Sequence, residues 1–252
     1  MLVELNGKGG RVCKEAKSGK IKCPLMIRSA SEDVITSQIF SSLKCINPRW
    51  WIPDFLNTAL GEGRFRRQIF RNLTIDLWVR QKGVPKNLVP WNEGQTEVDA
   101  VIKWENPPTT VFVEMKYGSQ LSRNTADSKE QLEYPTDQLI RNIRIGLWKN
   151  DWYAEQRLFN SEPRNFYTIL CSPKNGNEFV EQYQSNENIR SAIPNSGRLV
   201  ELPGQPFVGE VSFQQLRKIL QANRTHMSWS ECSNTKLLDD YLELKISQLK
   251  KQ

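Results

Sequence analysis

The chain has 252 residues, 38% hydrophobic and 25% charged, a balance that suits a folded globular protein and excludes a disordered or fibrous one. A formal charge of +7 favours a polyanionic partner. No apolar run reaches the roughly 18–20 residues of a membrane span, and the opening MLVELNGKGG carries no signal-peptide core, so a cytoplasmic protein without membrane contact is expected.

Residues 1–28, rich in Gly and Lys, read as a basic N-terminal arm of strand or loop. Ser29 to Glu32 fits a capping box, and Val34, Ile35, Ile39, Leu43 and Ile46 recur at helical spacing until Pro48. The segment Trp50 to Leu60 reads as a loop and short turn. From Arg67 to Arg80 the pattern alternates, with Leu73, Ile75, Leu77 and Val79 on one side and Thr74, Asp76 and Trp78 on the other, as a strand requires. Two β-rich runs follow, Glu97 to Trp104 and Val111 to Tyr117, and the turn residues Asn106, Pro107 and Pro108 between them predict a hairpin. After a polar stretch, Pro135 and Thr136 open a helix with Leu139, Ile140, Ile143 and Leu147 on its apolar stripe. Phe166 to Leu170 reads as a short buried strand. A loop-rich region around Pro194 to Pro206 precedes helices from about Ser212 to Ala222 and from about Lys236 to Leu249.

The hairpin carries the chemistry. Asp99 lies near the start of one strand, in TEVDAVIKW, and Glu114 and Lys116 lie on the next, in VFVEMKYGS. A period of two puts Glu114 and Lys116 on one face, and sends Val113, Met115, Val98, Ala100 and Ile102 into the core. Carboxylate oxygens in such a group suit Mg²⁺ or Mn²⁺, and an ammonium beside them can hold a water or meet developing negative charge. The plain alternative is a solvated face or a salt bridge. Glu97 shares the face of Asp99 and reads either as a supplementary ligand or as the partner of Lys103 or Lys116.

Asp99 followed by Glu114-x-Lys116 resembles the motif of the PD-(D/E)XK nuclease superfamily, and the predicted order of helix, three strands, helix, strand over residues 29–172 resembles its core. Val98 stands where the motif has proline, a substitution the family tolerates. The literal Pro53-Asp54 precedes the first strand and is a decoy. The resemblance implies an α/β fold with a restriction endonuclease-like core, a mixed sheet flanked by helices, and N- and C-terminal elaborations: the arm at 1–28 and an extension at 173–252 packed on the same domain. It also implies a DNA-cleaving, Mg²⁺-dependent enzyme, with Mn²⁺ substituting, in a prokaryotic defence, restriction or mobile-element setting. Asp99, Glu114, Lys116 and Gln138 would then be catalytic. Asp99 and Glu114 would hold the metal, with Glu32 as a third ligand or, equally, as the capping-box glutamate for Ser29. Gln138 matches a glutamine that contacts water or the scissile phosphate in several branches of the family, and Arg141 and Asn142, one turn further on the same helix, could reach the same phosphate backbone. An ordinary solvent-facing helix side is the alternative there.

Positive charge is concentrated. Residues 1–30 carry seven basic side chains against Glu4 and Glu15, and residues 61–86 carry seven against Glu62 and Asp76, interleaved with Phe65, Phe70 and Trp78. Arg64, Arg66, Arg67 and Arg71, together with Arg141, are the expected phosphate contacts; solvated faces are the alternative. Five cysteines form no CxxC pair, so neither a disulfide framework nor a zinc knuckle is expected. One histidine, His226, rules out sites built on several imidazoles, and Gly7 to Gly10 lacks the spacing of a phosphate-binding loop. DNA is the expected partner, with RNA and branched DNA open as substrates and a homodimer or a partner protein open as the source of specificity. The rival reading is a nucleic-acid-binding subunit that keeps the fold without turnover.

Overall fold

The computed structural model describes residues 31–91, 93–121, 134–157 and 162–249, together with the strand backbone at 13–14 and 21–22. In the N-terminal arm β1 (Cys13–Lys14) pairs antiparallel with β2 (Ile21–Lys22). The rest of the arm, including Ser29, lies outside the described residues, as does the polar stretch at 122–133.

The first helix, α1 (Glu32–Lys44), starts later than the capping box predicted. Its N-cap is Ser31, whose side chain makes no capping bond, so Glu32 is left to point elsewhere. Ile35, Ile39, Phe40 and Leu43 form its buried stripe, and Thr36 caps itself onto the Glu32 carbonyl. The segment expected to be a loop is instead a 3₁₀ turn at Pro48–Trp50 and a helix, α2 (Ile52–Leu60), with Ile52, Phe55, Leu56 and Leu60 buried. Pro53 sits in the first turn of α2, where proline removes an N–H that has no helical partner anyway. Asp54 accepts a hydrogen bond from Asn223 at 2.7 Å, a structural use consistent with its dismissal as a motif acid.

Five strands follow: β3 (Arg71–Gln81), β4 (Thr96–Glu105), β5 (Thr109–Met115), β6 (Asn165–Ser172) and β7 (Val208–Ser212), in that spatial order. The first three pair antiparallel and β5-β6-β7 pair parallel, so the protein is α/β with an open mixed sheet flanked by helices. Between β5 and β6 lie α3 (Gln138–Lys149) and the short α4 (Ala154–Arg157). Before β7 come α5 (Glu178–Gln182) and α6 (Asn186–Ala192), and after it α7 (Phe213–Asn223) and α8 (Trp229–Leu249). The last helix begins seven residues before the periodicity suggested. The segment after residue 172 therefore supplies the fifth strand of the sheet as well as two helices packed near α1 and α2.

Both faces of the sheet are buried. One apolar cluster joins α1, α2, α7 and α8 to Ala100, Ile102, Val113 and Met115. The other joins α3 and the 178–207 region to Val101, Phe112 and Leu170. Val98 belongs to this second cluster, contrary to the expectation that it shares a side with Ala100. The reason lies in β3, where Trp78 has φ +51° and the alternation slips. Leu77, opposite Ala100, packs on the first cluster, and Val79, opposite Val98, packs on the second. α3 comes close to β6 at Gly146, where a Cβ would lie 1.8 Å from the Phe166 ring.

A buried ion pair fixes α3. Arg144 is fully buried, donates to Glu93 Oε1 through Nε at 2.7 Å and also through Nη2, and reaches the Pro135 carbonyl at 2.9 Å. Asp137 caps the helix by accepting from Leu139 and Ile140 N–H, and its other oxygen accepts from the Tyr183 hydroxyl at 2.6 Å. These contacts place the first turn of α3 over the end of β5. Among the described residues no helix is long and apolar enough to cross a membrane.

Candidate functional site

The β4–β5 ladder runs from Trp104↔Thr109 to Ala100↔Val113 and goes no further. Beyond it the Met115 N–H, which points toward β4, is taken by the side chain of Asp99 rather than by backbone, at 2.8 Å. The neighbouring Lys116 N–H points the other way and bonds to the Cys171 carbonyl of β6 at 3.0 Å. The sheet thus opens beside β4 while β5 stays anchored to β6, and the opening carries Asp99, Glu114 and Lys116.

Glu114 is fully buried, on the α3 side of β5. Its Oε1 is 2.9 Å from Lys116 Nζ and accepts from Gln138 Nε2 at 2.5 Å; its Oε2 accepts from Asn142 Nδ2 at 3.1 Å. Gln138 and Asn142 are one helical turn apart and both aim at this carboxylate because the Asp137 cap fixes the start of α3. Burial, reinforced by the negative charge of Asp99, pushes the Glu114 carboxyl up to about 8, against the opposing pull of Lys116 and the hydrogen bonds. Burial works against the charge of Lys116, but Glu114, Glu32 and Asp99 outweigh it and raise its pKa. Lys116 is accordingly an ammonium ion at neutral pH and cannot serve as a base.

Glu32 reaches the same point from the opposite layer. Its Oε2 is 3.4 Å from Lys116 Nζ, while Oε1 accepts from the Tyr117 N–H at 2.9 Å and from the Ser119 hydroxyl at 2.5 Å. Its expected capping partner Ser29 lies outside the described residues; among those described, Lys116, Tyr117 and Ser119 hold it. Gly118, at φ +79°, turns the chain so that Ser119 faces back to Glu32, a conformation that a side chain would strain. A cleft of about 480 Å³ adjoins Lys116, between residues 118–121 and the loop at 172–177.

Other predicted residues go elsewhere. Glu97 pairs with Arg80, its cross-strand neighbour, at 3.7 Å. Arg141 donates to the carbonyls of Glu93 and Gln95 at 2.9 and 3.3 Å, bracing the loop before β4. Arg64 binds the carbonyls of Leu60, Gly204 and Pro206. Arg67 donates to Asn223 at 2.6 Å and lies over the Trp50 ring. Three of the five expected phosphate contacts are therefore engaged in holding backbone or side chains, while Arg66 and Arg71 are exposed. Lys8 to Lys22 lie outside the described residues apart from strand backbone. His226 stacks on Trp50, with ring centroids 5.2 Å apart. Cys45, Cys171 and Cys232 are free thiols.

Sequence reasoning overlooked Ser119 and the Tyr117 N–H as partners of Glu32, and gave Asn142 to phosphate when it serves Glu114. Gly118 directly after the Glu-x-Lys run was the available signal for the first. No family model, curated protein or solved structure matches the chain.

Proposed function

We propose that the protein is a divalent-metal-dependent nuclease with a restriction endonuclease-like core, hydrolysing DNA phosphodiester bonds at the strand ends around Glu114. One observation carries this reading: carboxylates from two adjacent strands and the ammonium of Lys116 meet where the sheet opens, and the N-terminal residues of two helices, Glu32 and Gln138, hold that group from both layers.

The donor chemistry fits Mg²⁺. Asp99, Glu114 and Glu32 offer only hard oxygen, and a cation, like a proton, would offset the burial and the Asp99 charge that raise the Glu114 pKa. Among the described residues no three His, Cys, Asp or Glu side chains are grouped to hold an ion alone. Mg²⁺ does not need such a cage, since one or two carboxylates, waters and substrate phosphate commonly suffice. When bound, the ion supplies the charge that polarises a scissile phosphate and activates water. Asp99 and Glu114 would hold it, and Gln138 and Asn142 would keep the Glu114 carboxylate in one orientation. Lys116, charged and tethered by Glu32, would meet the negative charge that develops on the phosphate. Lys174, exposed on the wall of the adjoining cleft, offers a further cation for the strand leaving the site.

A second reading, a nuclease-fold binding subunit without turnover, draws on the fact that both oxygens of Glu114 already carry hydrogen bonds. One experiment separates the two. Purified protein is incubated with supercoiled, linear and single-stranded DNA and with RNA, in Mg²⁺, Mn²⁺ or EDTA, alongside Glu114→Gln. Metal-dependent cutting by the wild type and its loss in the variant support catalysis and identify the substrate. Binding with no cutting of any substrate supports the second reading.

A further inference from the structure

At the other end of β5, roughly 17 Å from Glu114 at ~3.3 Å per strand residue, a cavity of about 390 Å³ opens between α2, the 64–70 segment and the start of β6. That volume lies within the usual range for a small-molecule site. Its walls include two edge-to-face aromatic pairs, Phe65 with Tyr167 at 5.2 Å and Phe70 with Trp104 at 5.3 Å. An edge-on partner leaves ring faces of such a pair available for stacking.

The polar groups point to the rest of the ligand. Arg64 and Arg66 line the cavity and among the described residues no carboxylate does, so an anion is favoured. Arg64 is held by three carbonyls and stacked 5.6 Å over Phe65, whereas Arg66 lines the cavity with an exposed side chain that can meet a charged group. Trp104 is only 2% exposed, and its indole N–H has no acceptor among the described residues. A buried donor without a partner is uncommon and costly, and this one belongs to a residue that lines an open cavity. Gln68 and Asn165 add amide groups that both donate and accept.

A flat ring, an edge carrying donors and acceptors, and an attached anion are the three properties these groups select, and a nucleotide has all of them. We propose that this cavity binds a nucleotide, with the base against the aromatic rings and within reach of the Trp104 N–H, and the phosphate toward Arg66. The base can belong to a free mononucleotide or to an unstacked residue of a strand. The proposal does not rest on catalysis at Glu114.

Isothermal titration in EDTA, where no cleavage intervenes, tests it. The ligands are the four deoxynucleoside 5′-monophosphates, a short single-stranded oligodeoxynucleotide, and inorganic phosphate as the control. Arg66→Ala should weaken binding about tenfold or more and Trp104→Phe about five- to tenfold, whereas Lys218→Ala, exposed on α7 and outside the cavity, should change it less than about twofold. Mononucleotide binding with that pattern establishes a free ligand. Oligonucleotide binding with the same pattern and no mononucleotide binding establishes a base of the strand. Absence of binding by both ligands, phosphate binding as tight as the nucleotides, or indifference to Arg66→Ala overturns the proposal. Because Arg66 is exposed, its variant keeps the test decisive even if Trp104→Phe perturbs packing.

Discussion

Glu114→Gln should change how stability depends on pH, in a direction opposite to that of an ordinary carboxylate. Glu114 has a folded pKa near 8 against an ordinary value of 4.5, so between those limits the folded state keeps a proton that the unfolded state has released. Stability of the wild type therefore falls as pH rises from about 4.5 to 8, and the slope ends beyond that. At 1.36 kcal/mol per pH unit the full interval corresponds to at most roughly 5 kcal/mol. The amide cannot titrate. It also turns an N–H₂ toward donors that previously met oxygen, costing about 1–3 kcal/mol at every pH. The variant should accordingly be less stable than the wild type at pH 5 and more stable at pH 8, with the two curves crossing between. Urea unfolding in EDTA at several pH values measures the difference, from which the other titrating groups cancel. Parallel curves across that range would show that Glu114 ionises normally in the folded protein and would remove the electrostatic argument for a cation beside it.

Lys116→Met should lower Mg²⁺-dependent plasmid cleavage by about 10²–10³-fold while leaving DNA affinity in Ca²⁺ nearly unchanged, since one cation among many contributes little to binding; equal losses in both would contradict a role confined to the transition state. Arg144→Met strands Glu93 without a partner and should cost about 3–5 kcal/mol in urea unfolding, most of it recovered in the double variant with Glu93→Gln. A cost below about 1 kcal/mol would mean that the pair is not structural. Gly146→Ala forces a Cβ against Phe166, an overpacking of about 1–3 kcal/mol that thermal melting should report as a drop of several degrees. For DNA binding, replacing Arg66 and Arg71 together should flatten the plot of log affinity against log salt by about two, and an unchanged slope would place both outside the interface.

Elements with one buried stripe and strong punctuation were legible. α1 and α3 declare themselves through apolar spacing, and the hairpin through the Asn106-Pro107-Pro108 turn between two apolar runs. α2 was hidden because Trp51, Ile52, Phe55, Leu56 and Leu60 are packed so densely between other elements that the window reads as an apolar patch interrupted by Pro53. β7 was hidden for a different reason. Five residues long and paired on one side, it is defined by its parallel register with β6, a tertiary fact with no local period. The slip that moves Val79 and Val98 to the second cluster likewise depends on a left-handed Trp78, a residue whose propensity argues for regular strand.

The site divides along the same line. Spacing brought Glu114 and Lys116 together because period two is a local property of a strand, and 2.9 Å separates their charged atoms. Charge clustering did not identify free cations, because a guanidinium carries five donors and is as well matched to backbone carbonyls as to phosphate. Arg64 binds the last turn of α2 to the loop before β7, and Arg141 binds α3 to the loop before β4, so each joins segments distant in sequence. Such carbonyls become available only once the chain has folded, and nothing in the local composition marks them. The same holds for Glu32. Its position on α1 admitted a cap or a ligand, and the partners it has among the described residues, the Tyr117 N–H and Ser119 hydroxyl, are brought within reach by a turn at Gly118. A local acid–lysine pair can thus be read directly from a strand, whereas the groups that orient it arrive from other layers and belong to the fold.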